Sequence, residues 1–429
     1  MSTKLRVLLV GNGGREHAIA WKLRQSPLVD HIFVVPGNGG TAQLPNVTNI
    51  SNIKQEDFPA LVKFAKENHV NLLVPGPEAP LVAGIVDHFA QNAPEIKAFG
   101  PSKAAARMEG SKTFSKDFMK RRSIPTAAYE NFSDYEAARK YLDSISHNVV
   151  IKASGLAAGK GVIIPQSKEE ADAALKEIML DKEFGDAGDE VVIEEFLEGD
   201  ELSILSFSDG RTIRSLPPAQ DHKRIGEGDT GPNTGGMGTY APTKIAPKEV
   251  VEQIHREIQQ PTVDGMREEG FEFKGVLFTG LMMTKEGPKT LEYNVRFGDP
   301  ETQSLLALMD GDLAEVMVAV AEGRLAEVDV KVSERSAATV VVAAGGYPGS
   351  YAKGTVMTID PVPDDVVLFH AGTTLSDNTL KTSGGRVIAS TATADTLEEA
   401  VAKAYNGVDC IHFDGMQYRK DIAGRALRK

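Results

Sequence analysis

The first hundred residues alternate between apolar runs and amphipathic segments, and that rhythm constrains the fold more than any other feature of the chain. "LRVLLVG" reads as a buried strand, "REHAIAWKLRQS" as an amphipathic helix and "HIFVVPG" as a second strand. "FPALVKFAKEN", "VNLLVPG" and "PLVAGIVDHFAQ" continue as helix, strand and helix as far as "IKAFGPS". Regular βα alternation implies a parallel sheet with right-handed crossovers, and ligands gather at the carboxyl ends of such strands. Two Gly-rich turns fall there: "GNGG", with Gly11, Gly13 and Gly14, and "PGPE", with Pro75, Gly76, Pro77 and Glu78. The first suits an anion at a helix N-terminus. Pro-Gly-Pro alone is a rigid turn, but two such loops on one side of a sheet favour a ligand. A dinucleotide site is disfavoured. Glu16 stands where the third glycine would be, and Pro36-Gly37, not an acid, closes the second strand.

At 429 residues the chain is too long for one ordinary core, and two to four domains are expected. The net charge of −13, from 47 basic and 60 acidic residues, argues against a general nucleic-acid binder. A local basic site for a small anion remains open. The single cysteine, Cys410, excludes an internal disulfide and reads as a small buried apolar residue. The chain enters a strand without the apolar core of a signal peptide, and no apolar run is long enough to cross a bilayer. The expectation is a soluble cytoplasmic protein with no membrane partner.

Further along, "KAAARMEGSKTFSKDFMKRRS" reads as helical, closed by Ile124-Pro125. A compact βαβ-like section runs from about Tyr129 to Asp189, and "DEVVIEEFLEGDELSILSFSDGRTI" gives two strands joined by an acidic link. "PPAQDHKRIGEGDTGPNTGGMGTYAP" is too rich in turn formers for core and reads as a functional flap. A helix from about Pro247 to Glu269 precedes a hairpin turning at Glu286-Gly287. The last hundred residues are strand-rich, with a closing helix through "TLEEAVAKAYNGV".

Three segments carry chemistry. "VVIKASGLAAGKGVII", Val149 to Ile164, has the glycines and lysine of a phosphate loop. It fails the P-loop pattern at Ser154 and at Gly161, and it joins strand to strand. Its glycines let backbone N–H groups approach phosphate oxygens, and Lys152 can reach phosphates as a point charge; a plain flexible hairpin is the other reading. In the acidic link, backbone groups can meet an adenine edge and Glu201 can accept from ribose hydroxyls, or the run is a solvated turn. In "LEYNVRF", strand alternation puts Glu292, Asn294 and Arg296 on one face. A carboxylate and an amide oxygen are hard ligands for Mg²⁺, and Arg296 suits a phosphoryl group or a carboxylate.

Together these pieces resemble the ATP-grasp superfamily. "GNGGREHA", "PGPEAPL", "IKASGLAAGKGV", "QDHKR…GPNTGGMG", "LEYNVRFGDPE" and "GYPGSY…KG" further resemble the phosphoribosylamine–glycine ligase (glycinamide ribonucleotide synthetase) family over nearly the whole chain. The resemblance implies a multidomain α/β and α+β protein. An N-terminal Rossmann-like parallel α/β domain (1–107) would precede an ATP-grasp domain (108–328) of two subdomains with a lid at about 126–189. A C-terminal strand-rich α+β domain (329–429) would follow. It implies ATP-dependent ligation of glycine to 5-phosphoribosylamine through glycyl phosphate, with Mg²⁺ or Mn²⁺, in a monofunctional chain and, by default, a monomer.

By resemblance, Lys112 and Lys152 contact phosphates under a cover of Ser154, Gly155, Leu156, Ala157, Ala158, Gly159, Lys160 and Gly161. Glu194, Glu195, Phe196 and Leu197 hold adenine, Glu201 the ribose, and Glu292 and Asn294 the metal. Arg296, Gly298 and Asp299 lie near glycine and the acyl phosphate. Asp221, His222, Lys223 and Arg224, with Gly236, Met237 and Gly238, close over the substrates, and Asp221, Lys223 and Arg296 are the catalytic candidates. Gly13, Gly14, Arg15 and Pro75, Gly76, Pro77 and Glu78 hold phosphoribosylamine. Two departures stand out: "FTGLMMT" lacks the further metal carboxylate common in the superfamily, and Ala394-Asp395 replaces an expected glycine. Another ATP-grasp carboxylate–amine ligase is the runner-up, ahead of a non-catalytic nucleotide sensor.

Overall fold

The computed structural model describes residues 3–428. Strands Leu5–Gly11, Val29–Pro36, Val47–Asn49, Leu72–Pro75 and Lys97–Ala98 form one parallel sheet, ordered third, second, first, fourth, fifth. The central strand is covered on both faces, which is why it reads as a continuous apolar run. With all strands parallel, the loops after Gly11, Pro36 and Pro75 leave the same edge and lace together: Gly37 N donates to Gly11 O at 3.1 Å and Gly76 N to Val10 O at 2.9 Å. Glu16 accounts for the missing third glycine. Its carboxylate accepts from Gly13 N at 3.0 Å, and a β-carbon at Gly11 or Gly76 would fall 2.5 Å from its atoms.

The helical segment after this sheet is two helices, Lys103–Gly110 and Lys112–Arg121. They break at Ser111, whose hydroxyl accepts from Phe114 N at 3.2 Å and caps the second helix. The section expected to be βαβ-like is instead antiparallel. Val191–Glu195 lies between Tyr129–Phe132 and Val149–Ala153, and Val162–Ile163 forms an edge. Helices Tyr135–Ser144 and Lys168–Met179 cover this sheet around a core of its own, including Leu142, Ile151, Leu175 and Ile193.

The two strands flanking the acidic link belong to different sheets. Val191–Glu195 stays in the small one, while Asp200–Asp209 joins Ile213–Ser215, Lys274–Thr284 and Gly287–Asn294 in a four-stranded antiparallel sheet. The crossing falls at Gly199, with φ of 147°, where a β-carbon would lie 1.9 Å from Met283 O. The long helix is Lys248–Ile254 and Gln260–Glu268 joined through a π-helical turn, His255–Gln259. The turn widens just ahead of Pro261, whose ring and missing N–H do not fit a regular ladder. The hairpin turns at Lys285-Glu286, with Gly287 opening the return strand.

The flap is anchored at both ends. Gln220–Asp221 and Gly238–Ala241 enter a five-stranded antiparallel sheet with Ser336–Ala343, Arg386–Ala394 and Val366–His370. Between them Arg224–Gly226 and Thr230–Asn233 form a hairpin. Helix Leu397–Val408 packs on that sheet, and Cys410 beyond it is half-buried rather than buried. Among the described residues, no helix is long and apolar enough to cross a membrane.

The C-terminal sheet meets the first Gly-rich loop through buried polar contacts. His370 N donates to His17 Nδ1 at 2.8 Å, and the Asn38 amide donates to His370 O at 2.8 Å and Asn12 O at 2.9 Å. His17 must therefore be unprotonated at Nδ1. Burial, and then His370, hold it well below its usual range, and burial takes His370 down to about 4. Between about pH 6.5 and 4 the unfolded chain binds protons that the folded one refuses, so these residues lower stability as pH falls through that window. Each contributes a slope of up to ~1.4 kcal/mol per pH unit. His370→Gln should flatten the fall in melting temperature between pH 6.5 and 4.5; a fall as steep as in the parent protein would show that His370 carries none of it.

Candidate functional site

Strand register builds the centre of the cleft. Glu292 pairs with Gly280 and Asn294 with Phe278, so both polar side chains project from one face of the hairpin. Gly280 occupies the position facing Glu292, where no side chain crowds the carboxylate. A bulge beside Gly280 leaves Leu291 out of the pairing, and the strand ends at Asn294, so Arg296 sits on the bend beyond it, not on the strand. Neither Glu292 nor Asn294 has a side-chain hydrogen-bond partner among the described residues. Burial alone would raise the Glu292 carboxyl, but Lys223, Lys152, Lys112 and Arg296 outweigh it and hold the group below its usual range. A free ionised carboxylate beside a free amide oxygen is a donor set that fits a hard divalent cation.

The basic groups arrive from separate elements. Lys112 opens its helix and donates to Ala153 O at 3.1 Å and Gly155 O at 3.3 Å, pinning the root of the glycine loop. Ser154 adds to that root, its carbonyl accepting from Lys112 N at 2.9 Å. Gly155 is required at close range: a β-carbon there would lie 2.7 Å from Ala187 Cα. The middle of the loop, Leu156 to Lys160, is more open, with Ala158 and Gly159 in the left-handed region at φ of 50° and 75°, while Gly161 is buried again.

Lys152 lies 3.1 Å from Glu194, which is also 3.3 Å from Lys116. Side-chain exposures of 8%, 3% and 2% for Lys152, Glu194 and Lys116 make this a desolvated triad. Burial brings Lys116 down to about 8 despite Glu194. Lys116 is a site residue that the motif reading missed. Its signal was its place one helical turn after Lys112 on the same face. Glu194 is thus committed to two lysines, while Glu195, Phe196 and Leu197 continue past it to Gly199. Leu197 joins Ala127, Met282 and the bulged Leu291 in a small apolar cluster.

At the other end, Arg296 is held by Glu78 and Glu109, both at 3.2 Å. Arg15 pairs with Glu16 and donates to Phe297 O at 3.2 Å, while its backbone N donates to Asp299 at 3.2 Å. The loop Gly13-Gly14 therefore lies directly against Asp299 and Gln303, whose amide nitrogen would be 2.6 Å from a β-carbon on Gly14. Burial opposes charge on Asp299, but Arg386 and Arg15 keep it low. Arg386 donates to Asp299 O at 2.8 Å and underlies Gly235. Glu109, Gln303 and Arg386 went unremarked in the sequence because nothing in their spacing links them to the motifs they serve, while Glu301, the last residue of "LEYNVRFGDPE", was read without a role of its own.

The flap divides. Lys223 reaches Glu201 at 3.0 Å, and Glu201, Glu292 and Asp221 together raise its pKa and hold it protonated. Asp221 lies under Gly236, where a β-carbon would meet its oxygen at 2.7 Å. Burial, and then Glu301, raise Asp221 well above the carboxylate range. The other flap residues turn away from the cleft, contrary to expectation. His222 spends both ring nitrogens on backbone, Gly238 O and Ala423 N, each at 3.0 Å. Met237 is buried with Val341 and Ala389, Gly238 packs against Ile422 and Thr339, and Arg224 bonds across its own hairpin to Gly231 O.

Family models for the N, ATP-grasp (A) and C domains of phosphoribosylglycinamide synthetase match residues 5–109, 110–302 and 337–425. The chain is 48% identical to a phosphoribosylamine–glycine ligase of Salmonella typhimurium over 99% of both. It is 60% identical over 99% of its length to a bifunctional purine biosynthetic protein of Pichia angusta, of which it spans 54%. It thus covers about half the length of such relatives. A solved phosphoribosylamine–glycine ligase from Thermotoga maritima superposes with a TM-score of 0.83 at 36% identity, covering 98% of this chain and 100% of that one. A biotin carboxylase domain from Hydrogenobacter thermophilus, 16% identical with a TM-score of 0.74 over 97% of this chain and 92% of its own, shares the fold. The chain belongs to the phosphoribosylglycinamide synthetase family.

Proposed function

We propose that the chain joins glycine to 5-phosphoribosylamine at the expense of ATP, giving glycinamide ribonucleotide, ADP and phosphate. One observation carries this reading. The cation-ringed Glu292 and the Gly13-Gly14 loop are linked by the segment from Arg296 to Asp299, which acts on the first and contacts the second. A phosphate-binding end and a loop suited to a phosphosugar are thereby set side by side.

The nucleotide end works by contact and charge. The backbone of Glu195 to Leu197 reads the adenine edge, with Leu197, Met282 and Leu291 as apolar walls. Glu201 accepts from the ribose hydroxyls. Lys112, Lys152 and the N–H groups of Gly155 to Gly161 hold phosphate oxygens. Glu292 and Asn294 would hold Mg²⁺ or Mn²⁺, which when bound neutralises charge between the phosphates. A glycine carboxylate oxygen attacks the γ-phosphorus as the bond to the β-bridging oxygen breaks, releasing ADP. Arg296 and Lys223 offset the charge spread over the transferring group.

The sugar amine then attacks the glycyl carbonyl, the C–O bond to phosphate breaks, and the nitrogen loses a proton. Asp221, raised by burial and Glu301, takes that proton as the base. No serine or cysteine nucleophile is needed, because positioning and charge stabilisation supply the catalysis. The working unit is taken as one cytoplasmic chain, since every residue invoked lies in it.

ADP release by the purified protein should depend on glycine and freshly made phosphoribosylamine together. Turnover no higher than with ATP alone would refute the assignment. Glu292→Ala should lower kcat on the order of 10³-fold. It should leave the near-ultraviolet circular dichroism unchanged, as the side chain has no hydrogen-bond partner among the described residues to lose. Activity within a few-fold of the parent would remove Glu292 from the metal site.

A further inference from the structure

We propose that residues 419–423 form a positioning strap for the substrate loop, with Arg419 and Asp421 as its positioning residues. The proposal rests on the reading that Asp221 and Lys223 act on the substrates. Arg419 is only 2% exposed and lies far along the chain from any motif of the cleft. Its NH1 donates to Arg224 O at 3.2 Å and to Asp229 at 3.0 Å, while its Nε and NH2 grip both oxygens of Asp421 at 2.9 Å. Asp421 in turn accepts from Gly228 N at 2.9 Å, and Lys420 N donates to Glu227 at 3.2 Å. Ala423 N donates to His222 Nε2 at 3.0 Å, and Ile422 packs against Gly238.

The strap therefore fixes the loop at His222, Arg224 and residues 227–229, and Lys223 lies between the first two. Thr234 holds Lys223 from its other side, its N–H donating to Lys223 O at 2.7 Å and its hydroxyl at 2.8 Å. The Lys223 backbone is clamped while its side chain stays free to extend toward Glu201 and Glu292. These contacts are directional and not close-packed: a cavity of about 120 Å³ remains between strap and loop, lined by His222, Asp229, Arg419 and Asp421 among others. A guanidinium buried among fully satisfied partners adds little net stability compared with apolar packing, but it fixes one geometry. The requirement for that geometry is at the loop, where a misplacement of about 1 Å can cost on the order of 10²-fold in rate.

Arg419→Gln in the full chain tests this. It should lower kcat/KM for phosphoribosylamine about 10- to 100-fold while KM for ATP changes less than twofold, and Arg419→Lys should recover part of the loss. A smaller active fraction with both KM values unchanged would mean a merely structural role and overturn the proposal. If Arg419→Gln does not fold, Asp421→Asn is read in the same way, and failure of both to fold also overturns it. If the parent protein itself does not turn over, the functional reading has failed and not the strap. Hydrogen exchange then decides: faster exchange in Arg419→Gln confined to residues 221–234 supports the strap, and unchanged exchange there refutes it.

Discussion

Arg296 lies between two carboxylates that come from different parts of the chain, and the cleft is organised around that junction. Glu78 begins a helix at the edge of the parallel sheet, and Glu109 lies in the last turn of the helix before the break at Ser111. Glu109 also accepts from Val295 N at 2.8 Å, so one carboxylate fixes both the backbone and the guanidinium at the strand end. Burial raises Glu109 and the charge of Arg296 opposes that rise. Removing one member of such a pair leaves a buried charge uncompensated, at a cost of about 3–5 kcal/mol. The "PGPE" loop therefore cannot move independently of the strand that carries Glu292 and Asn294.

Around that junction the charges are paired but not balanced in place. Glu194 serves two lysines, Lys223 draws on Glu201, Glu292 and Asp221, and Glu292 answers to four cations. Lys116, Lys152 and Lys223 thus each have a carboxylate partner in the protein, and the cluster as a whole retains capacity for an anion. Low exposure makes the Glu194 pairs stronger than they would be in water and holds them in place ahead of any reaction, while the half-exposed Lys223–Glu201 pair is more screened.

Much of this was legible in the sequence, and what was not has physical causes. The parallel sheet and the closing helix follow from periodicity, and Glu292 with Asn294 from strand alternation, because each depends on neighbours in the chain. Alternation failed two residues later: a bulge at Leu291 and the end of the strand put Arg296 on a bend, where pairing no longer dictates direction. The antiparallel order of the small sheet was hidden because Val191–Glu195 inserts between strands that precede it. His222, Met237 and Gly238 belong to a long motif, yet they face the C-terminal sheet. Composition alone does not separate residues that hold a loop from residues that use it. Lys116 and Arg386 act only through partners brought together by the fold.

The two ends of the cleft differ mechanically, and the difference follows from where their strands pair. The glycine loop Ser154–Gly161 belongs to a small sheet with its own apolar core, joined to the larger sheet through Gly199. A separate core and a glycine hinge allow that unit to tilt without opening the main core. The flap has no such freedom. Its strands Gln220–Asp221 and Gly238–Ala241 are part of the C-terminal sheet, and that sheet is fastened to the "GNGG" loop through His17, His370 and Asn38. Closure over a ligand would therefore be a movement of the glycine-loop end against a braced flap. On this arrangement the C-terminal sheet does more than fill volume: it carries one wall of the cleft.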